Sequence, residues 1–316
     1  MYIKSLKLQN FRNYADESFA FDPAVNLICG ENGQGKTNLL EAAAACSTMR
    51  LFRTAQKKEG LRFGENHAFI FADFLAQERD ISLELRFSRT KAMEIYKNGV
   101  RQKRQSDAQG LLKTVLFCPE DLMILKKGAS GRRRLMDGVI CQLRPNYEAA
   151  LAEYGRLLDQ KSALLRERYD NPSLLQVLPE YDLRMAQTGS LVISYRSRYV
   201  KALAQEAARY HREFSGDSET LELTYRTVST VTDPFAPPET LCAQLQEHQR
   251  SHARAELESA QCLSGPHKDD LELLLINPEK RRDVEERKKL LNMADLALLC
   301  LPSETARETP VLGENP

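Results

Sequence analysis

The chain has 316 residues, with 42% hydrophobic and 28% charged side chains. That balance fits a folded protein of one large or two linked domains and excludes overall disorder. Lys and Arg number 45 against 44 Asp and Glu, so a formal net charge of +1 excludes a uniformly basic nucleic-acid coat and leaves only local basic patches open.

The apolar stretches are short and interrupted by charge, so no membrane span is expected. The opening MYIKSLKLQN lacks the apolar core of a signal peptide, and the expected location is the cytoplasm. Near the start, Leu6 and Leu8 alternate with Ser5 and Lys7, the pattern of a strand. Residues 10–23 are polar and turn-rich. Val25, Leu27, Ile28 and Cys29 then form a short apolar run, which predicts a buried strand, and Asn38-Leu39-Leu40-Glu41 followed by four alanines predicts a helix.

Residues 69–118 read as β-rich. Phe69-Ile70-Phe71-Ala72 is one strand, and Ile81, Leu83, Leu85 and Phe87 alternate with polar residues in another. Asn98-Gly99 between Glu94-Ile95-Tyr96-Lys97 and Val100-Arg101 predicts a tight hairpin. A last apolar strand is expected at Thr114-Val115-Leu116-Phe117-Cys118, ended by Pro119.

Beyond residue 130 the period becomes helical. Tyr147, Leu151, Tyr154 and Leu158 mark one long helix, and Leu191, Tyr195, Tyr199 and Leu203 another. With Asn171-Pro172 between them they predict an antiparallel pair, an arm or small bundle. A strand at 221–225, a Pro-rich loop, a helix over 239–258 and a strand at 270–276 follow. Most aromatic residues fall at core spacing and read as core.

The seven cysteines are scattered without a CxxC pair, which reads as reduced thiols and gives no zinc pattern. His248 and His252 share one helix face without an acidic or thiol partner, and a solvated face is the expectation there.

One motif carries chemistry. Gly30, Glu31, Asn32, Gly33, Gln34, Gly35, Lys36 and Thr37 match GxxxxGK[ST]. Glycines let such a loop curl its backbone N–H groups around phosphate oxygens, and the following helix adds its positive end. Lys36 can reach the β- and γ-phosphates of ATP, and the Thr37 hydroxyl can ligate Mg²⁺. Hydrolysis further needs an acid at the end of an apolar strand. Pattern alone offers Asp73, or Glu120 and Asp121.

An N-terminal strand, then NFRNY at residues 10–14, then GENGQGKTNLLEA at 30–42 resembles the RecF family. That family comprises bacterial repair ATPases related to SMC-type and other ABC-like ATPases. The Asn98-Gly99 hairpin, FCPEDL at 117–122, Arg132-Arg133-Arg134, Asp137, Gln142, Tyr147, Tyr154 and SGPHKDDL at 264–271 extend the resemblance over roughly residues 1–276. It implies an α/β, ABC-ATPase-like P-loop head with a mixed sheet and a helical arm. The first lobe would span 1–125, the arm 126–215, the return to the head 216–276 and a divergent or truncated tail 277–316.

The resemblance also implies an ATP-dependent homodimer that binds single-stranded or gapped DNA and works with RecO and RecR to load RecA. It places Arg12 and Asn13 in the segment that approaches the nucleotide, and Glu120 and Asp121 near the passage from lobe to arm. After Ile276, however, neither a signature motif nor a strand ending in paired acids is present. The expectation is retained nucleotide binding, impaired hydrolysis, an incomplete second lobe and an apolar strand at 273–276 without a neighbour.

Three basic clusters read as phosphate-backbone contacts. They are Arg50, Arg53, Lys57 and Lys58; Lys97, Arg101, Lys103 and Arg104; and Lys126, Lys127, Arg132, Arg133 and Arg134. No base-reading motif is visible, so steep salt dependence without sequence preference is expected. Two other readings remain at this stage: a nucleotide-binding remnant that cannot hydrolyse ATP, and a small-molecule P-loop kinase, which would leave FRNY, PEDL and SGPHKDDL unexplained.

Overall fold

The alternating leucines near the N-terminus build strand β1 (Tyr2–Phe11), in which Leu6 and Leu8 are fully buried. A computed structural model describes residues 1–54, 56–124 and 128–276. In it, β1 pairs on one side with β2 (Tyr14–Ala20) and on the other with β3 (His67–Ala76). β4 (Arg79–Ser88), β5 (Glu94–Lys97) and β6 (Val100–Arg101) complete a six-stranded sheet of order β2-β1-β3-β4-β5-β6. Every pairing among the described residues is antiparallel.

Period-2 patterning sets the register. Ala68, Ile70, Ala72 and Phe74 of β3 face inward with Leu83, Leu85 and Phe87 of β4. Asn98 (φ 49°) and Gly99 (φ 76°) both take the left-handed conformation that a two-residue hairpin demands. Helix α1 (Lys36–Thr48) lays Leu39, Ala42, Ala45 and Cys46 onto this core, its small alanines allowing close approach. Each large side chain buried here contributes roughly 1.5–3 kcal/mol. Burial also pushes the Cys46 thiol up to about 12, which leaves it inert.

Three sequence expectations fail in this lobe. Residues 14–20 are a strand, polar because β2 is an edge whose faces are largely solvated. Residues 25–29 form no strand, and Val25 and Leu27 are 82% and 87% exposed. Residues 114–118 likewise form none, with Val115 at 100% and Phe117 at 73%. An apolar extended run becomes a strand only when a neighbour takes its backbone N–H and C=O groups, and no described segment pairs with either run.

The second half is built from α2 (Ala129–Leu143), α3 (Pro145–Glu167), α4 (Leu178–Ser215) and α5 (Pro238–Ser259), with β7 (Thr220–Arg226) and β8 (Asp270–Ile276). α3 and α4 run antiparallel. Lys161, late in α3, bonds Asp182 early in α4, whereas Tyr147 at the start of α3 meets Tyr195 further along α4. Their buried faces share one core with Tyr225 of β7, Leu241 and Leu245 of α5 and Leu271 of β8. The expectation that residues 273–276 lack a neighbour is overturned: β8 pairs with β7 along its length, from Asp270↔Arg226 to Ile276↔Thr220. Local alternation could not reveal a partner about fifty residues upstream.

Candidate nucleotide site and nucleic-acid interface

The phosphate-type loop leads directly into α1. Gly30 (φ 148°), Gly33 (φ 85°) and Gly35 (φ 105°) all have left-handed backbones that other residues adopt only under strain. At Gly35 the space is also closed, because an added Cβ would stand 2.8 Å from Asn13 Nδ2 and Oδ1 and from the Tyr14 hydroxyl. α1 begins at Lys36 with no side chain capping its first turn. The backbone N–H groups there keep their partial positive charge for an anion. Lys36 Nζ folds over the loop and donates to the carbonyls of Gly30 and Glu31, both at 2.7 Å. Glu31, Asn32, Gly33, Gln34 and Thr37 are solvent-exposed, so the loop and the Thr37 hydroxyl are open to a ligand. Residues 30–37 thus fit a triphosphate with its metal: a glycine cradle, a cation on its rim and an uncapped helix end.

The FRNY turn buttresses this loop. The Tyr14 hydroxyl donates to the Gly35 carbonyl at 3.1 Å, and Asn38 Nδ2 donates to Asn13 Oδ1 at 2.8 Å. Asn13 therefore lies against the loop. Arg12 is turned the other way, with two bonds to the buried carboxylate of Glu41, 2.8 Å and 3.0 Å long. Glu41, one helical turn beyond Thr37, also accepts the Arg53 N–H at 3.3 Å. Sequence reasoning missed its role. A carboxylate on the alanine-rich inner face of α1 was the available signal.

Of the acids proposed for hydrolysis, Asp73 stands away from the loop. Asp73 faces Ser5, whose hydroxyl it accepts at 3.2 Å. Ser5 stands six residues along β1 from Phe11, which puts Asp73 about 20 Å from the turn that holds the loop. Asp121 accepts the Cys118 N–H at 2.8 Å and so caps its own 3₁₀ turn. Local pattern could propose these acids, but only strand register could exclude Asp73. The side chain of Glu120, both Lys126 and Lys127, and all of residues 277–316 lie outside the described residues.

The basic clusters divide. Arg50, Arg53 and Lys58 are exposed on the segment after α1, and Arg53 donates to Asn38 Oδ1 at 2.8 Å. Lys57 is half-buried, and burial together with Arg50 pulls its pKa down. Lys103 and Arg104 are exposed, Lys97 is half-buried, and Arg101 pairs with Glu94 at 2.8 Å. Arg132 and Arg133 point inward. Arg132 makes a two-bond pair with Asp270 at 2.7 and 2.8 Å, and Arg133 donates to the Asp269 carbonyl at 2.6 Å. Of that cluster only Arg134 is exposed among the described residues.

The inward arginines belong to a buried joint made by the remaining motif residues. Arg196 of α4, 3% exposed, binds both oxygens of Asp137 at 2.9 and 3.0 Å, Asp269 at 2.9 Å and the Pro266 carbonyl at 2.7 Å. The hydroxyls of Tyr147 and Tyr225 close on Asp137 and Asp269. Burial pushes the Asp269 carboxyl up while Arg196 pulls it back. His267 is held between the Tyr154 hydroxyl at 2.7 Å and the Cys262 carbonyl at 2.9 Å, and burial drives its pKa down to about 4. SGPHKDDL is therefore the strap that ties β8 to α2, α3 and α4. His248 corrects a further expectation: it is buried, bonded to the Ser264 hydroxyl at 2.7 Å and stacked on His252. Among the described residues no cluster suited to a metal ion occurs.

Comparison with known proteins agrees with this arrangement. Residues 5–129 match the family described as AAA domain. The chain is 35% identical over 320 residues to the DNA replication and repair protein RecF of Synechococcus sp. (strain JA-2-3B'a(2-13)), covering 99% of this chain and 83% of that relative. It is 32% identical over 315 residues to the RecF of Acetivibrio thermocellus, with coverage of 99% and 85%. Among solved structures, the recombination mediator protein RecF-ATPrS in the RecFOR pathway superposes with a TM-score of 0.82 at 25% identity, over 98% of this chain and 79% of that one. The corresponding RecF-ATP structure gives 0.79 at 26% identity, with the same coverage. With its glycine cradle, buttressing FRNY turn and SGPHKDDL strap, the chain belongs to the RecF family of DNA replication and repair proteins.

Proposed function

We propose that the chain binds ATP at residues 30–37 and uses it to regulate a sequence-indifferent grip on DNA. Lys36 exchanges its two loop carbonyls for β- and γ-phosphate oxygens, and the Thr37 hydroxyl ligates Mg²⁺. The grip serves recombinational repair and replication at single-stranded or gapped DNA, in company with RecO and RecR and in support of RecA, with ATP favouring a homodimer. The cytoplasm is the matching location.

The observation that carries this reading is the loop itself: three left-handed glycines leading into an uncapped helix, with a lysine lying across them. The likeness to a RecF solved with ATPrS supports it. Replacing Lys36 removes a charge-assisted bond to phosphate that is worth about 1.5–3 kcal/mol. In a titration with a fluorescent ATP analogue, Lys36→Ala is expected to bind roughly 10- to 100-fold more weakly. Equal affinity in the variant and its parent, or no binding by the parent, refutes the assignment.

A further inference from the structure

The two surviving basic clusters are separated in sequence but meet in space. Gln142, at the end of α2, accepts the Ser47 hydroxyl at 2.6 Å and the Thr114 N–H at 2.9 Å through one side-chain oxygen. Ser47 is the penultimate residue of α1 and is fully buried. The Gly110 N–H reaches the Ser47 carbonyl at 3.5 Å, and Gly110 (φ 77°) sits so close to the Gln142 carbonyl that a side chain there has no room. The end of α1, the turn at 103–110 and the α2–α3 corner are thereby locked into one notch.

Its rim is cationic. Arg50 lies two residues beyond α1, Lys103 and Arg104 lead into the turn, and Arg144 is the single residue between α2 and α3. All four are exposed, and none forms an ion pair with another described residue. Lys58 is exposed on the segment after Arg50, next to Lys57, whose pKa Arg50 helps to lower. Two acids lie close by, and burial raises the Glu148 carboxyl while Arg50 pulls it back. Asp107 accepts the Arg104 N–H at 3.1 Å, and Glu148 is partly buried in the first turn of α3. Four exposed cations against these two acids leave the rim net positive, and a polyanion relieves the remaining repulsion while releasing its own counterions.

We infer that this notch is where the phosphate backbone of DNA docks, with Arg50, Lys58, Lys103, Arg104 and Arg144 as its contacts and with Arg132 and Arg133 excluded as structural. The inference rests on the DNA-binding half of the proposed function and gives it a place. α1 then carries the nucleotide loop at one end and the DNA notch at the other, about 20 Å apart.

The test measures anisotropy of a labelled duplex about 30 base pairs long, and of one of its strands, between about 50 and 200 mM salt with an ATP analogue present. The full chain is compared with the triple variant Arg50→Ala, Lys103→Ala, Arg144→Ala. A control carries Arg198→Ala and Arg212→Ala on the exposed side of α4. Loss of three phosphate contacts is expected to weaken DNA binding at least ~50-fold and to make the log–log salt slope shallower by about 3. Affinity for the ATP analogue, which also reports folding, stays unchanged. Lys58→Ala with Arg104→Ala gives the same result in smaller measure.

DNA affinity within about threefold of the parent, or an equal loss in the α4 control, overturns the notch while leaving the proposed function standing. A parent chain that retains neither form of DNA overturns both. A polyglutamate chain that binds the parent more tightly than DNA, and loses that binding in the triple variant, assigns the notch to an acidic protein instead.

Discussion

Arg12 closes on Glu41 with two parallel hydrogen bonds, from Nε at 2.8 Å and from Nη2 at 3.0 Å, and the carboxylate is fully buried. The pair joins the FRNY turn to the inner face of the helix that begins at the nucleotide loop. Arg12 itself sits at φ 56°, a left-handed backbone held in place by its N–H bond to the Gly60 carbonyl at 2.8 Å.

Removing one partner leaves a buried charge without compensation. Arg12→Ala is expected to destabilise the chain by about 3–5 kcal/mol, while Arg12→Met with Glu41→Met, which removes both charges, costs less than that single change. Urea denaturation of the two variants checks the order. A double variant less stable than Arg12→Ala contradicts the account.

Gly35→Ala meets both obstacles described for the loop, a left-handed φ of 105° and a Cβ 2.8 Å from Asn13 and Tyr14. The strain amounts to about 1–3 kcal/mol. It is expected to appear mainly as weakened binding of an ATP analogue, because relief comes from pushing the FRNY turn away from the loop. An alanine variant with full nucleotide affinity would show that the turn does not shape the site.

Arg196 forms ion pairs with both Asp137 and Asp269, and Asp269 is completely buried. Arg196→Met therefore strands two carboxylates, with an expected loss of about 3–5 kcal/mol. Asp137→Asn keeps most of the hydrogen bonding and is expected to cost less. Thermal unfolding of both proteins ranks them.

His267 gives a pH dependence whose sign follows from its lowered pKa. The folded value is about 4 against an ordinary 6.5, so the proton prefers the unfolded chain. Above pH 6.5 both states are neutral at this site and nothing is lost. Between 6.5 and about 4, stability falls as the pH falls, by up to about 2 kcal/mol on reaching pH 5. His267→Gln is expected to flatten stability against pH in that window. An unaltered slope in the glutamine variant disproves the assignment.

Asp73 is expected to be a bystander to nucleotide chemistry. It lies at the far end of β1 and β3 from the loop and contacts the Ser5 hydroxyl. Asp73→Asn should leave ATP-analogue affinity and any ATP turnover within about twofold of the parent, with a stability change inside ~0.5 kcal/mol. A clear loss of Mg²⁺-dependent binding in this variant would reinstate it as a metal ligand.

Features with local causes are legible in the order of residues alone. The loop at residues 30–37 follows from glycines and a lysine at fixed spacing, and the hairpin at Asn98-Gly99 from two residues that tolerate φ above zero. The inward face of β4, and the two long helices, follow from periodicity, which declares which side of an element is apolar. Periodicity does not declare what covers that side. Leu27 and Val115 lie in runs as apolar as the one that holds Leu83 and Leu85, yet the first two stand in solvent and the second two are buried, because only β4 has neighbours to accept its backbone bonds. Charge behaves the same way. Arg50 and Arg132 read alike in their clusters, but Arg132 meets Asp270 across 138 positions of chain and is engaged within the fold. A local reading cannot see such a partner, because ion pairing acts over ångströms in space and the chain brings those ångströms together only when it folds.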